Sequence, residues 1–171
     1  MMMKRASLFL LPVLLAACSQ PPPAPTAAKH VAPARDLVAE VRAVAADGGD
    51  SLDIQPLRDP AVEDLRAAAT RHENAREFDK ADAALLQALT ITPDDPELLQ
   101  HRAEIALHRA QYERAEQLAN SSYQRGPRLG ALCRRNWATI RLAREMRDNP
   151  AGATAAGQQA QRCTLEPPVR M

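Results

Sequence analysis

Beyond residue 59 the apolar residues recur at helical spacing in blocks, each closed by turn-forming residues. The first two blocks predict helices over residues 60–74 and 78–89, and Thr92-Pro93-Asp94-Asp95-Pro96 closes that pair. A second pair follows over 96–109 and 112–125 and ends at Gly126-Pro127. Residues 130–147 predict a fifth helix bearing Leu132, Cys133, Trp137, Ile140 and Ala143, with Asn149-Pro150 as its stop. The small residues of 151–163 predict a short sixth helix. Asp59 stands as N-cap to Pro60, whose missing N–H costs nothing at a first helical position. Upstream, residues 36–46 carry a weaker helical period through Leu37, Val38, Val41 and Val44, broken by Asp47-Gly48-Gly49-Asp50. In residues 51–58, Leu52, Ile54 and Leu57 roughly alternate, which predicts an extended segment. Residues 20–34 show neither period. Pro21, Pro22, Pro23, Pro25 and Pro33 lie there among Ala and Thr, a composition that predicts a disordered tether.

The N-terminus follows another grammar. Lys4 and Arg5 precede the apolar residues 6–15, and Ala16, Ala17 and Cys18 follow, as in a secretory signal peptide. The apolar run is shorter than the about 20 residues a membrane span needs. At its end, Leu15-Ala16-Ala17-Cys18 resembles the lipobox of bacterial lipoproteins. That resemblance implies cleavage before Cys18 and lipid attachment to it, with enough acyl chains for a stable anchor. An ordinary signal peptide with a chance cysteine is the alternative. Ser19 takes the place where Asp often signals inner-membrane retention in enteric relatives, so the resemblance implies the periplasmic face of the outer membrane.

Composition narrows the picture. Removing residues 1–17 leaves 154 residues and moves the formal charge from +1 to −1, which does not suit a nucleic-acid binder. That length fits one modest domain and a tail. Aromatics make up only 3% of the chain, and abundant alanine favours closely packed helices over a sheet. With Cys18 lipidated, Cys133 and Cys163 remain as an even pair in an oxidising compartment. A disulfide between them is expected, with two buried free thiols as the alternative.

Matching positions in the two helix pairs lie 34 residues apart: Phe78 and Tyr112, Ala81 and Ala115, Ala88 and Ser122, Pro93 and Pro127. A 34-residue period of helix pairs with these residue types resembles tetratricopeptide repeats. Alanine lets the helices approach, the aromatic fills the wedge between repeats, and proline stops the second helix. Leu65 and Leu99 fill the family's bulky first-helix position, whereas Ala69, His72, Ala103 and Ala106 replace its usual Gly-Tyr positions. The third pair departs from the motif, as a capping element does. The expected fold class is therefore all-α: a short TPR-like solenoid of two repeats plus a capping helix pair, after a disordered Pro-rich tether. The expected divisions are a signal peptide (1–17), a lipidated tether (18–34), a short helix and extended segment (35–60), the repeat domain (61–165) and a tail (166–171).

Catalytic chemistry finds no support. His30 lies in the tether. His101 and His108 could share a helix face, but no Cys, Asp or Glu pattern completes a metal site. No nucleophile elbow, zinc-protease helix or phosphate loop is present. The expectation is a protein with no cofactor and no metal, not an enzyme.

Two features suit a protein partner. Residues 36–64 hold eight acids and two arginines, whereas residues 125–147 hold seven arginines and one acid, Glu145. Arginine's planar fork matches carboxylates, but this helix could equally balance acids elsewhere in the domain, or receive the acidic segment folded back on it. The second feature is the repeat groove, lined in tetratricopeptide proteins by the first helix of each pair. Mapped by position, it comprises Arg66, Thr70 and Asn74, then Gln100, His101, Glu104 and His108, then Arg134 and Arg141. Most of the Lys and Asn pattern of the family's carboxylate clamps is missing. A polar groove of this kind still fits a peptide or protein segment.

Residues 19–60 could span at most roughly 140 Å fully extended, so the domain can reach well away from an anchor. This layout is similar to the outer-membrane lipoprotein activators of bifunctional penicillin-binding proteins in pseudomonads and relatives. The resemblance implies a domain that docks on a peptidoglycan synthase and stimulates it, with membrane contact through the lipid alone. A pilotin or assembly lipoprotein of a secretion or pilus complex is the alternative; a peptidoglycan-acting enzyme is disfavoured for want of catalytic residues.

Overall fold

Asp59, Asp95 and Asn149 each stand one residue before a proline, and each caps the helix that the proline begins. The computed structural model describes residues 35–46 and 58–164. Within them the helices are α1 (Leu37–Ala46), α2 (Pro60–Asn74), α3 (Phe78–Ile91), α4 (Pro96–His108), α5 (Tyr112–Arg125), α6 (Ala131–Glu145) and α7 (Pro150–Gln161). Among the described residues there is no strand. Asp59 accepts from the N–H of Ala61 at 2.8 Å, Asp95 from Glu97 and Leu98 at 2.8 and 3.1 Å, and Asn149 from Gly152 at 2.9 Å. These bonds satisfy N–H groups that the first turn leaves open. The signal peptide, Cys18, the tether, the segment 51–57 and the tail 166–171 lie outside the described residues.

α2–α3, α4–α5 and α6–α7 form three antiparallel pairs, and all three turn alike. Arg76, Ala110 and Asp148 occupy the left-handed region at φ 59°, 55° and 55°. In each turn the following N–H donates back across the helix end: Glu77 to the His72 carbonyl, Gln111 to Ala106 and Asn149 to Arg144, at 2.8, 2.9 and 3.0 Å. This is the bonding of a Schellman cap. The third pair lacks the repeat's sequence signature yet has its turn. A non-glycine residue in this conformation costs roughly 1–2 kcal/mol, whereas glycine adds freedom to the unfolded chain. Ala110→Gly is therefore expected to stabilise the domain by about 0.5 kcal/mol, read as a higher urea midpoint at unchanged slope. A lower midpoint would contradict the turn geometry.

The repeat positions pack as their residue types require. Ala81, Ala88 and Ala115 are fully buried, and buried Ser122 donates its hydroxyl to the Pro96 carbonyl at 2.6 Å. Phe78 stacks on the ring of His108 with centroids 4.8 Å apart, bridging the first and second pairs. A Cβ on Gly126 would sit 3.1 Å from the Pro96 Cβ, so glycine permits the close turn there. The capping pair is fastened by the Cys133–Cys163 disulfide, and the Gly130 N–H donates to the Cys163 carbonyl at 2.8 Å. Trp137 meets Tyr123 edge-on, joining the second pair to the third. Ion pairs run between neighbouring pairs at a separation of 31 residues: Arg66 with Glu97, Asp94 with Arg125, Glu104 with Arg135, Glu116 with Arg147. A 34-residue repeat puts equivalent positions side by side. Residues three apart share a helix face, so each side chain reaches its neighbour one turn back.

α1 is the exception to the stack. Its Val38 and Val41 are buried in one cluster with Ala106, Leu107, Ala138 and Leu142. It thus lies across α4 and α6, the first helices of the second and third pairs, on the face that forms the groove.

Candidate functional site

α1 divides the groove, and the nine positions expected to line one surface do not form one. On one side of α1, Arg66, Thr70 and His101 come together with Arg42, Glu73 and Arg135 around a cavity of about 540 Å³. On the other side, Arg134 and Arg141 line a cavity of about 320 Å³ with Val44, Ala138 and Gly157. Arg134 donates through Nε to the Val44 carbonyl at 3.2 Å, and Arg141 pairs with Glu145 at 3.2 Å. Asn74 is exposed at the end of α2 and lines neither cavity. His108 is taken up by Phe78, with Nε2 3.3 Å from Glu73.

Gln100 and Glu104 require a correction. Expected as groove-facing, both are 0% exposed. The Gln100 amide donates to Thr139 Oγ1 at 2.8 Å and to Glu104 Oε1 at 3.1 Å. Glu104 Oε1 also accepts two bonds from Arg135, at 2.9 and 2.6 Å, and Oε2 accepts one from Arg42 Nε at 2.9 Å. These residues form the floor beneath the groove, out of a ligand's reach while α1 is seated. The physical reason is that Gln100 turns to Thr139 and the Arg135 carbonyl of α6, while Arg135 and Arg42 of α1 close over Glu104.

Arg42, Glu73 and Arg135 were not among the residues expected at the site. Glu73 accepts from Arg42 at 2.8 Å through Oε1 and lies 2.8 Å from His101 Nε2 through Oε2. Burial pushes its carboxyl up, but the His101 hydrogen bond and the Arg42 charge outweigh that and hold it at about 2, against an ordinary 4.5. Arg42 is held above its usual value: burial opposes its charge, and Glu104 and Glu73 overcome that. A carboxyl lowered on folding stabilises fully above its ordinary pKa and stops doing so as pH falls through the folded value. Glu73 is accordingly expected to contribute on the order of 3 kcal/mol at pH 7, lost between about pH 4.5 and 2. Urea titrations of the wild type and Glu73→Gln at pH 7 and 2.5 check this. The gap between them should shrink at low pH, and a constant gap would refute it.

The arginine-rich stretch is largely spent inside the domain. Arg125 pairs with Asp94 at 2.6 Å, Arg135 with Glu104 at 2.6 Å, and Arg144 and Arg147 with Glu116 at 2.7 and 3.0 Å. Arg128 stacks over the Tyr123 ring at 4.1 Å. Among the described residues, the fold-back of acidic residues onto this helix amounts to Glu40 near Arg141 at 4.0 Å. Other ion pairs here have the opposite polarity: Arg42 of α1 as above, and Arg35, two residues before α1, with Glu145 at 2.6 Å. Among the described residues no group of three or more His, Cys, Asp or Glu side chains could hold a metal, and no helix is long and apolar enough to cross a membrane.

The fold has a counterpart among solved structures. The chain is similar to the globular C-terminal domain of P. aeruginosa LpoP, with a TM-score of 0.59 and 28% sequence identity, over 61% of this chain and 99% of that domain. No family model matches the chain, and no curated protein is significantly similar to it. The likeness agrees with an all-α, TPR-like helical domain.

Proposed function

We propose that this chain is a membrane-anchored periplasmic docking module that binds a bifunctional penicillin-binding protein and stimulates its glycan polymerisation. The observation that carries the reading is the likeness to the LpoP globular domain, which the chain covers at 99%. The order of parts supports it as well: a lipobox ending in Cys18, a Pro-rich stretch, then a repeat domain, the layout of lipoprotein activators of these synthases. The anchor keeps the module near the envelope, and the groove and flanks of the repeats supply the contact. Nothing in the groove chemistry requires a small-molecule substrate, because its charged groups are engaged with one another.

The test uses the chain without residues 1–17 and with Cys18→Ser. It is mixed with a bifunctional penicillin-binding protein from the same organism and lipid-linked glycan precursor. Polymerisation several-fold faster than with the synthase alone is the expected result. Pull-down from envelope extract should recover the synthase. Recovery of secretin subunits alone, with no change in polymerisation, would sink the reading.

A further inference from the structure

The groove holds a helix of its own chain, and the fit of that helix describes what else the groove can hold. α1 presents Val38 and Val41 to the apolar cluster of α4 and α6, with Leu37 and Val44 partly buried beside them. From the next turn position, Arg42 reaches Glu73 at 2.8 Å and Glu104 at 2.9 Å. Those two carboxylates are 7% and 0% exposed, whereas the Arg42 side chain is 46% exposed. The two carboxylates are thus fixed by the repeats and covered by Arg42, and the group they receive comes in from the solvent side. Arg135 holds Glu104 and His101 holds Glu73, so each carboxylate keeps a partner within the repeats when Arg42 leaves.

α1 is also poorly suited to stand as a helix by itself. It has ten residues, below the roughly 12–15 at which isolated helices become even marginal, and Asp47-Gly48-Gly49-Asp50 follows it. Its helical form rests on the groove. Any other occupant meets the same two demands. It must cover an apolar strip with residues spaced as Val38, Val41 and Val44 are, and it must bring a cation to two buried carboxylates. An acidic segment fails the second demand, because it would place like charges together in a poorly hydrated site.

We propose that the groove is a receptor for an amphipathic helix bearing one arginine. α1 fills it in cis, and a helix of the docking partner with the same apolar spacing and a matching basic residue fills it in trans when α1 leaves. This inference rests on the docking reading above, but its test needs no synthase. A fluorescent peptide of residues 35–46 is titrated against the wild-type chain and against the Val38→Ala/Val41→Ala variant, in which α1 is loosened. The peptide should bind the variant at least tenfold more tightly than the wild type, and its Arg42→Ala form at least tenfold more weakly than the original. Equal binding of the two peptides, or no binding by a folded variant, overturns the proposal.

A variant that fails to fold is replaced by hydrogen exchange on the wild type. Amides of α1 should exchange at least 100-fold faster than those of α4 and α6, and equal protection overturns the proposal, because α1 would then leave only by global unfolding. A wild-type dimer in which copies exchange α1 would assign the groove to a second copy and overturn the partner helix. Peptide exchange without synthase stimulation would sink the docking reading alone, and stimulation without peptide exchange would sink this one.

Discussion

Arg135→Ala is expected to destabilise the domain by about 3 kcal/mol, because it strips a buried carboxylate of its main partner. Glu104 is 0% exposed and receives two of its bonds from Arg135. Arg42 alone would remain as a charged partner, from a ten-residue helix and with a side chain 46% exposed. The reverse change is expected to cost less. In Glu104→Gln, Arg135 at 26% side-chain exposure and Arg42 at 46% can both turn to water. The double variant Glu104→Leu/Arg135→Met should recover much of the loss, since a buried ion pair is often no better than apolar residues of similar volume. Urea midpoints of the three variants check the order. If Arg135→Ala costs less than 1 kcal/mol, Arg42 is sufficient to neutralise the floor.

Reduction of the Cys133–Cys163 bond should cost a comparable amount. The bond closes a loop of sequence separation 30, for which chain entropy gives about 3–4 kcal/mol. The loss should not spread evenly. α7 buries only Ala153 and Ala156 from its own length, so little apolar area fixes it to α6 once the bond is gone. In Cys133→Ser/Cys163→Ser, amides of α7 are expected to lose protection first, while those of α2 to α5 keep theirs. Hydrogen exchange with and without reductant separates this from uniform loosening. Unchanged protection of α7 would show that the Gly130–Cys163 backbone bond and packing suffice.

The helix pairs were legible because their signals are local and repeated. A proline after a capping residue marks three helix starts, and small residues 34 apart mark the contacts between helices. The starts of α2, α3, α4 and α5 and the ends of α1, α2 and α5 fall where the sequence puts them, and the other boundaries differ by a residue or two, as fraying ends do. The site was less legible for one reason. Gln100 and Glu104 are polar residues on the face that repeats of this kind leave open, so position alone reads them as solvent-facing. Gln100 turns to α6, and Glu104 is covered by Arg135 and by Arg42 of α1, a ten-residue stretch whose weak period says that it is a helix but not where it lies. Arg42 on that stretch looks like any residue of a solvated face. Glu104 with Arg135 carried a signal that could have been read: opposite charges recurring 31 residues apart, one turn short of the repeat. Arg66, Thr70 and His101 fall together because they sit on α2 and α4, whose facing is set by the repeat.

That ladder of charges also fixes the sequence in which the pairs can stack. The first pair offers a cation, Arg66, to Glu97 of the second, and the second offers an anion, Glu104, to Arg135 of the third. Between the first helices α2, α4 and α6 the middle pair is thus the acidic side of both junctions, whereas Asp82 of α3 meets Arg102 and Arg114 of the middle pair with the opposite polarity. If the first and third pairs met directly, Arg66 and Arg135 would both lose the middle-pair carboxylates they bind, Glu97 and Glu104, a mismatch that disfavours the shortened stack. Apolar contacts between alanine-rich helices are nearly interchangeable, so they cannot number the repeats. The charges can, and they mark the middle pair as the one that cannot be skipped.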